Sequence, residues 1–386
     1  MRRLLVLSLL AGAAVRTAAA QQGAFVIRLG RDTSAVEQVT RTDTRITSDA
    51  VIRSPRTVVR HAVFDLGPDG RPTRMEVTVT RPGAAADAPP VQHVVATFTR
   101  DSVMSELRRD TTVQSRRIAL PGSPVPLVGG ASTSWAAFEL MVQRLRQSRG
   151  DSLSLPMYAA GAAQASTWSV RSLGRDSVWL YDGNDVFHAR VDRDGRILGA
   201  IPLSGTQQFT VERVGAVDIN ALATGFAARD NQQQGLGALS TRDTVRASAG
   251  GAALWIDYGR PAKRGRVIFG STIVPYGEVW RTGANAATQF RTDRALEIGG
   301  VVVPAGFYTL WTIPSPAGWN LVVNSQTGQW GTAHDATKDV FRLPMTTSTL
   351  PQPVERFTIT VAPAGQGGTL NLDWDTTRAS IPFTVR

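Results

Sequence analysis

The stretch Val274–Asn285, VPYGEVWRTGAN, gathers Tyr276, Glu278, Trp280, Arg281 and Asn285 around two glycines, Gly277 and Gly283. Arginine offers a planar fork of donors that matches a carboxylate, sulfate or phosphate. Asparagine can fix hydroxyls, and an indole ring can stack on a sugar. Asp257 and Arg260, on an earlier strand-like run, are positioned to join them. A second group, His334, Asp335, Lys338 and Asp339, falls on a loop or short helix. The candidate ligand-binding residues are therefore Arg281, Asn285, Tyr276, Asp257, Arg260 and His334. A purely structural role competes with this one. Arg281 then pairs with a buried acid such as Asp257 or Asp373, Trp280 joins the core, the glycines supply left-handed turns, and Asp339 pairs with Arg342. Strand alternation in EVWRTG would also split the group, with Val279 and Arg281 on one face and Glu278 and Trp280 on the other.

Other chemistries find little support. The chain has no cysteine, which removes disulfides, thiolate metal sites and a cysteine nucleophile. It has no G-x-S-x-G, Walker A or H-E-x-x-H pattern. The four histidines, His61, His93, His188 and His334, show no ligand spacing, so neither a metal nor a cofactor is expected. An enzymatic reading needs a carboxylate pair, with Glu278 or Asp257 as acid or base and His334 assisting, as in glycoside hydrolysis. The balance of residues leans against an enzyme.

The first twenty residues read as a secretory signal. Arg2 and Arg3 form the charged region, Leu4–Val15 the apolar region, and Ala18 and Ala20 fit a cleavage site before Gln21. The apolar run is too short to span a bilayer, and no later run is long enough. The expected location is periplasmic or extracellular, with no transmembrane segment and a peripheral envelope association left open. The formal charge is +11; removing Arg2, Arg3 and Arg16 leaves 11 − 3 = +8. Lys263 and Lys338 are the only lysines. The arginines are scattered along strands beside Asp and Thr rather than gathered in a stripe, so no nucleic-acid partner is expected.

The elements that must hold these residues are mostly strands. AFVIRLG, TVVRHAVFDL, RMEVTVTR and VQHVVATFTR alternate or are β-branched, with Gly/Pro/Asp turns between them. One helix stands out in STSWAAFELMVQRLRQSRG. Trp135, Phe138, Met141 and Leu145 form its apolar stripe, Ser/Thr precede it as N-caps, Arg144, Arg146 and Arg149 fall in its last turns, and Gly150 can end it. Ile219–Arg229 reads as a second, short helix. A polar, glycine-rich stretch follows, giving a signal peptide at 1–20, an N-terminal antiparallel β domain at 21–229, a linker at 230–244 and a second β domain at 245–386. In that last part Gly299-Gly300 marks a hairpin. Leu370, Leu372 and Trp374 share a buried face, with Asn371, Asp373 and Asp375 on a wet one.

Several segments after Val245 carry ordered motifs: Asp257-Tyr258-Gly259-Arg260-Pro261, Lys263–Arg266 with Ile268-Phe269-Gly270, Val274–Asn285, and Pro304–Leu310. Trp330-Gly331, Lys338-Asp339-Val340 with Arg342, and Trp374 complete the series. In these the region 245–386 closely resembles DUF2911, a family of bacterial exported domains of unknown function. The resemblance also shows a departure: the family usually has Glu after Gly-Ala-Asn, where this chain has Ala286. The N-terminal part resembles, in pattern only, the half-barrels of exported lipid-handling or scaffold proteins. The expected fold is all-β: an N-terminal curved antiparallel sheet or half-barrel with one amphipathic helix, then a jelly-roll-like β-sandwich. The expected function is non-catalytic binding of a glycan or anionic small molecule in the bacterial envelope, with the curved sheet offering an apolar concavity to lipid or a partner. A carbohydrate hydrolase and a scaffold without a small ligand are the alternatives.

Overall fold

A computed structural model describes residues 21–85, 87–120, 124–148 and 150–386. The expected signal segment and Arg149 lie outside these. More than half of the described chain is strand, in two large sheets with two α-helices, as the alternation requires.

The first sheet has fifteen strands. It runs as a meander from an edge at Thr112–Ala119 back to Gln21–Leu29, which pairs with Phe209–Val214. From there it steps to Ser152–Ala159 and ends on the short parallel strand Val125–Leu127. Helix α1 (Ala136–Gln147) fills the concave face. Trp135, Phe138, Met141 and Leu145, the expected stripe, are all buried against Phe25, Trp168 and Phe187. Trp135 stacks on Phe138, and Phe138 stacks on Trp168, with centroids 4.5 and 4.7 Å apart. Among the described residues, the chain's own helix thus packs into the concavity.

The cap of α1 differs from the sequence expectation. Its N-cap residue is Trp135, and no Ser or Thr side chain among the described residues caps its first turn. Instead Glu37, from the strand Asp32–Arg41, accepts the backbone N–H groups of Trp135 at 2.5 Å and Ala136 at 3.2 Å. Ser48 and Ser134 donate to the same carboxylate, and the buried Arg60 guanidinium lies 3.3 Å away. A buried charge needs such a complete set of partners, because desolvation otherwise costs several kcal/mol, roughly. Helix α2 (Ile219–Asn231) lies on the opposite face of the sheet, where Ile219 and Ala223 cover Val36 and Val51.

The second sheet has nine strands, ordered Ser240–Ala249, Ala252–Pro261, Thr288–Thr292, Gly306–Ile313, Trp319–Asn324, Asp339–Ala364, Gly367–Val385, Leu296–Ile298 and Val301–Val303. The long strand Asp339–Ala364 pairs first with Trp319–Asn324 and then with Gly367–Val385. The sheet therefore folds over, and both halves contribute to one core that includes Trp280, Phe290, Trp319, Phe357 and Trp374. Gly299 and Gly300, both at positive φ, close the expected hairpin. The wet face expected at the last strand is not wet: Asn371 and Asp373 are buried, bonded to Ser380 and Arg378.

The segment between the sheets is held down rather than loose. Its strand begins at Ser240, inside the expected linker, and Leu236 is buried. Asp230 accepts the Thr57 N–H at 2.7 Å. Arg264 pins the junction, pairing with Asp32 at 2.7 Å and donating to the Leu236 carbonyl. The Arg264 carbonyl accepts the Arg31 N–H. Gly30 permits that approach, since a Cβ there would stand 2.0 Å from the Arg264 oxygen.

Candidate functional site

The segment that carries Arg281 is not a regular strand. Between Val274 and Asn285 only isolated bridges form, among them Trp280 to Thr312. Thr282 and Asn285 take left-handed backbone, with φ of 50° and 65°. That conformation is strained for a β-branched residue. Buried hydrogen bonds hold it: the Thr282 hydroxyl donates to that of Thr312, and Thr288 donates to the Thr282 carbonyl at 2.7 Å. Gly259 lets the turn come close, because a Cβ at Gly259 would lie 2.1 Å from the Ala284 oxygen. The break in alternation changes where side chains point. Trp280 is buried and stacks on Trp374, yet Trp280 and Arg281 line the same cavity.

This cavity, of about 480 Å³, lies at the junction of the two sheets. Leu29, Pro55, Phe209, Ile273, Trp280 and Trp374 give it apolar walls. Its polar groups are Ser54, Thr206, Gln207, Ser240, Asn285 and the arginines 266 and 281. No Asp or Glu lines it among the described residues.

Arg281 is half-buried and has no carboxylate within ion-pair distance among the described residues. Its terminal nitrogens donate to Thr206 Oγ1 at 3.2 Å and, more weakly, to the Gly331 carbonyl at 3.5 Å. Its buried Nε has no partner there. Other arginines share an unpartnered Nε, but Arg60 and Arg264 each rest on a carboxylate. Burial alone pulls the Arg281 pKa below the ordinary value. Arg266 beside it donates to the carbonyls of Lys263, Ala262 and Gln207 and likewise makes no ion pair among the described residues. Burial, with Arg264 adding to it, lowers its pKa to about 10. Two desolvated cations thus border one partly apolar cavity. Each gains if an anion replaces lost water. Asn285 is exposed at the rim, and its backbone carbonyl accepts the Gly331 N–H.

The acids offered to Arg281 on structural grounds are taken elsewhere. Asp257 pairs with Arg242 at 2.8 Å, and Asp373 with Arg378 at 2.6 Å. Arg260 ties strands together, donating to Asp243, the Phe357 carbonyl and Thr358. Tyr276 is exposed and faces a separate shallow groove with Ser315 and Thr347. His334 Nε2 lies 2.8 Å from Asp339, which also receives Asn324 and Arg342. Burial by itself would raise the Asp339 pKa, but those hydrogen bonds outweigh it and hold the group below the ordinary carboxylate range. Of the six expected site residues, then, only Arg281 and Asn285 meet at the cavity; Asp257, Arg260, Tyr276 and His334 do not line it. Arg266, Thr206 and Gly331 went unnoticed as site residues, although Arg266 and Gly331 belong to the motifs quoted above. Glu278 is exposed, and no cluster of three or more metal-ligating side chains forms among the described residues.

Residues 240–383 match the family model of DUF2911, described as a protein of unknown function. The DUF2911 region supplies Pro261, Arg266, Trp280, Arg281, Asn285 and Trp374 to the cavity, and the first sheet supplies the opposite wall. No curated protein matches the sequence. A solved structure with some likeness is a β-barrel-like protein of a domain of unknown function, DUF1849, from Brucella abortus. It is 9% identical, with a TM-score of 0.34, and the match covers 51% of this chain and 96% of that one. No helix among the described residues is long and apolar enough to cross a membrane.

Proposed function

We propose that this chain is an exported, non-catalytic binding protein of the bacterial envelope that holds a small anionic ligand at the junction of its two sheets. The observation that carries the proposal is Arg281: a half-buried guanidinium, without a carboxylate partner among the described residues, on the wall of a cavity of about 480 Å³. Arg266 adds a second cation, and Asn285 and Ser240 add hydrogen-bonding groups for hydroxyls. The stacked Trp280 and Trp374 offer an apolar wall to a ring or hydrocarbon portion. A uronic acid, a sugar phosphate or a hydroxylated carboxylate combines these features. The hydrolase alternative finds no acid or base among the cavity's described lining residues, and Ala286 stands where the related domains have Glu.

Export with cleavage after Ala20 rests on the charged, apolar and small-residue regions of the first twenty residues. Fractionation of producing cells, with the N-terminus of the mature protein sequenced, tests that part. The ligand class is tested by thermal-shift screening of the mature chain against uronates, sugar phosphates, sulfates and neutral sugars. Anions raising Tm in the wild type but not in Arg281→Gln support the cavity. Equal shifts in both proteins, or shifts with neutral sugars only, overturn it.

A further inference from the structure

The outer face of the second sheet carries a row of side chains that the cavity does not use. Cross-strand register places Arg246 opposite Trp255, Trp255 opposite Arg291, and Arg291 opposite Phe307. These four residues come from four adjacent strands, so cations and rings alternate across the sheet. Their neighbours along each strand, such as Leu254, Ile256 and Phe290, point inward to the core. The row faces outward into an open groove of about 700 Å³.

Three features of the row bear on what fits it. First, Arg246 and Arg291 make no ion pair among the described residues, although most arginines nearby do; Arg242 and Arg260 sit on Asp257 and Asp243. One acid, Asp293, lies in the groove, and its carboxylate accepts the Ala253 N–H at 2.7 Å. Arg294, next to it, has no carboxylate partner among the described residues either, so the patch is net positive. Second, the two arginine-bearing strands are separated by one strand, which sets their backbones about 9–10 Å apart. Third, Phe307 is exposed but its ring is already covered by Arg291, whose guanidinium carbon stands 4.9 Å from the centroid. Single-stranded nucleic acid binds by stacking successive bases on free ring faces. Only Trp255 remains for that here.

We propose that this groove binds an anionic polysaccharide, with Trp255 against a sugar ring and Arg246 and Arg291 on carboxylates carried by sugars on either side of it. Alternating charge and ring along a straight row suits an extended polymer with one acid per short repeat. Association through exposed arginines is screened by salt, since the Debye length is about 8 Å at physiological ionic strength. The site is separate from the junction cavity and does not depend on it.

The test is affinity electrophoresis and calorimetry on the mature chain with polygalacturonate, dextran, an oligothymidylate and vesicles containing phosphatidylglycerol. Polygalacturonate is expected to bind, more weakly as salt rises. Trp255→Ala and the double variant Arg246→Gln/Arg291→Gln should each lose at least tenfold in affinity. Arg246 and Arg291 are exposed, so the double variant keeps its fold, which circular dichroism checks. In an Arg281→Gln background, which removes uronate binding at the junction cavity, the double variant should show the same loss. The proposal is overturned by no binding to polygalacturonate, by unchanged affinity in the double variant, or by tighter binding to dextran, oligothymidylate or the vesicles.

Discussion

Arg281 lies so close against Gly331 that a Cβ on the glycine would stand 2.0 Å from the Arg281 Cδ and 2.4 Å from the Asn285 carbonyl oxygen. The bare backbone at 331 therefore sets the path of the arginine toward Thr206 and the cavity.

Replacing Gly331 with Ala forces the Arg281 stem or the 285 backbone to move. Overpacking of this kind costs about 1–3 kcal/mol. The expected outcome is a lowered Tm together with weakened anion binding. Gly225 in α2 is the contrast, because a Cβ there meets nothing within 4 Å. Gly225→Ala should stabilise the protein by about 0.5–1 kcal/mol through helix propensity. Denaturant titration of both variants checks the pair; equal effects would contradict the packing argument.

Glu37 joins α1 to the first sheet through two backbone N–H groups, two serines and Arg60. Glu37→Ala leaves Arg60 buried without its carboxylate and the helix start uncapped. Breaking a buried pair this way costs about 3–5 kcal/mol. Denaturant unfolding should show a loss of that size. A change within experimental error would mean that the network contributes nothing to stability.

Asp185 gives the stability a pH dependence. Burial first, and then the nearby Asp182 carboxylate, raise its pKa to about 6. The folded protein then holds a proton that the unfolded chain, at an ordinary carboxylate pKa of about 3.9, has released. Between these values stability falls as pH rises, and above about pH 6 the loss is complete. Asp185→Asn should remove this slope and raise Tm at pH 7. The loop beside Asp185 includes Gly205 and Thr206, the Arg281 partner. Melting curves from pH 4 to 7.5 for both proteins are the check. A slope that persists in Asp185→Asn would assign it to another group.

The sequence revealed the regular parts of this fold because regular elements repeat at a fixed period. Trp135, Phe138, Met141 and Leu145 recur at helical spacing, and all four are buried. Phe357 and Ile359 alternate in sequence, and both face the core. Asn371 and Asp373 alternate too, but the folded-over sheet buries both their faces, which period alone does not disclose. The helix cap was hidden for a related reason: Glu37 lies almost a hundred residues from the helix it serves.

The candidate site was legible only in part. Arg281 and Asn285 stand in a recognisable motif, but their neighbours in space, Thr206 and Gln207, come from a loop between two strands of the other sheet. Asp257 was a reasonable partner for Arg281 until register placed Arg242 beside it. The alternation rule would have separated Trp280 from Arg281. The left-handed turn at Thr282 and the lack of a strand there put both on one cavity.

The most direct measurement is calorimetric titration of the mature chain with the anion that shifts its Tm most, repeated on Arg281→Gln. Loss of a charge-assisted hydrogen bond costs about 1.5–3 kcal/mol, which is roughly ten- to a hundredfold in Kd. Arg281→Gln should show that loss while melting no lower than the wild type, because the residue it removes is a desolvated charge without a carboxylate partner among the described residues. An unchanged Kd in the variant, or a variant that no longer folds, would contradict a ligand-binding role for Arg281.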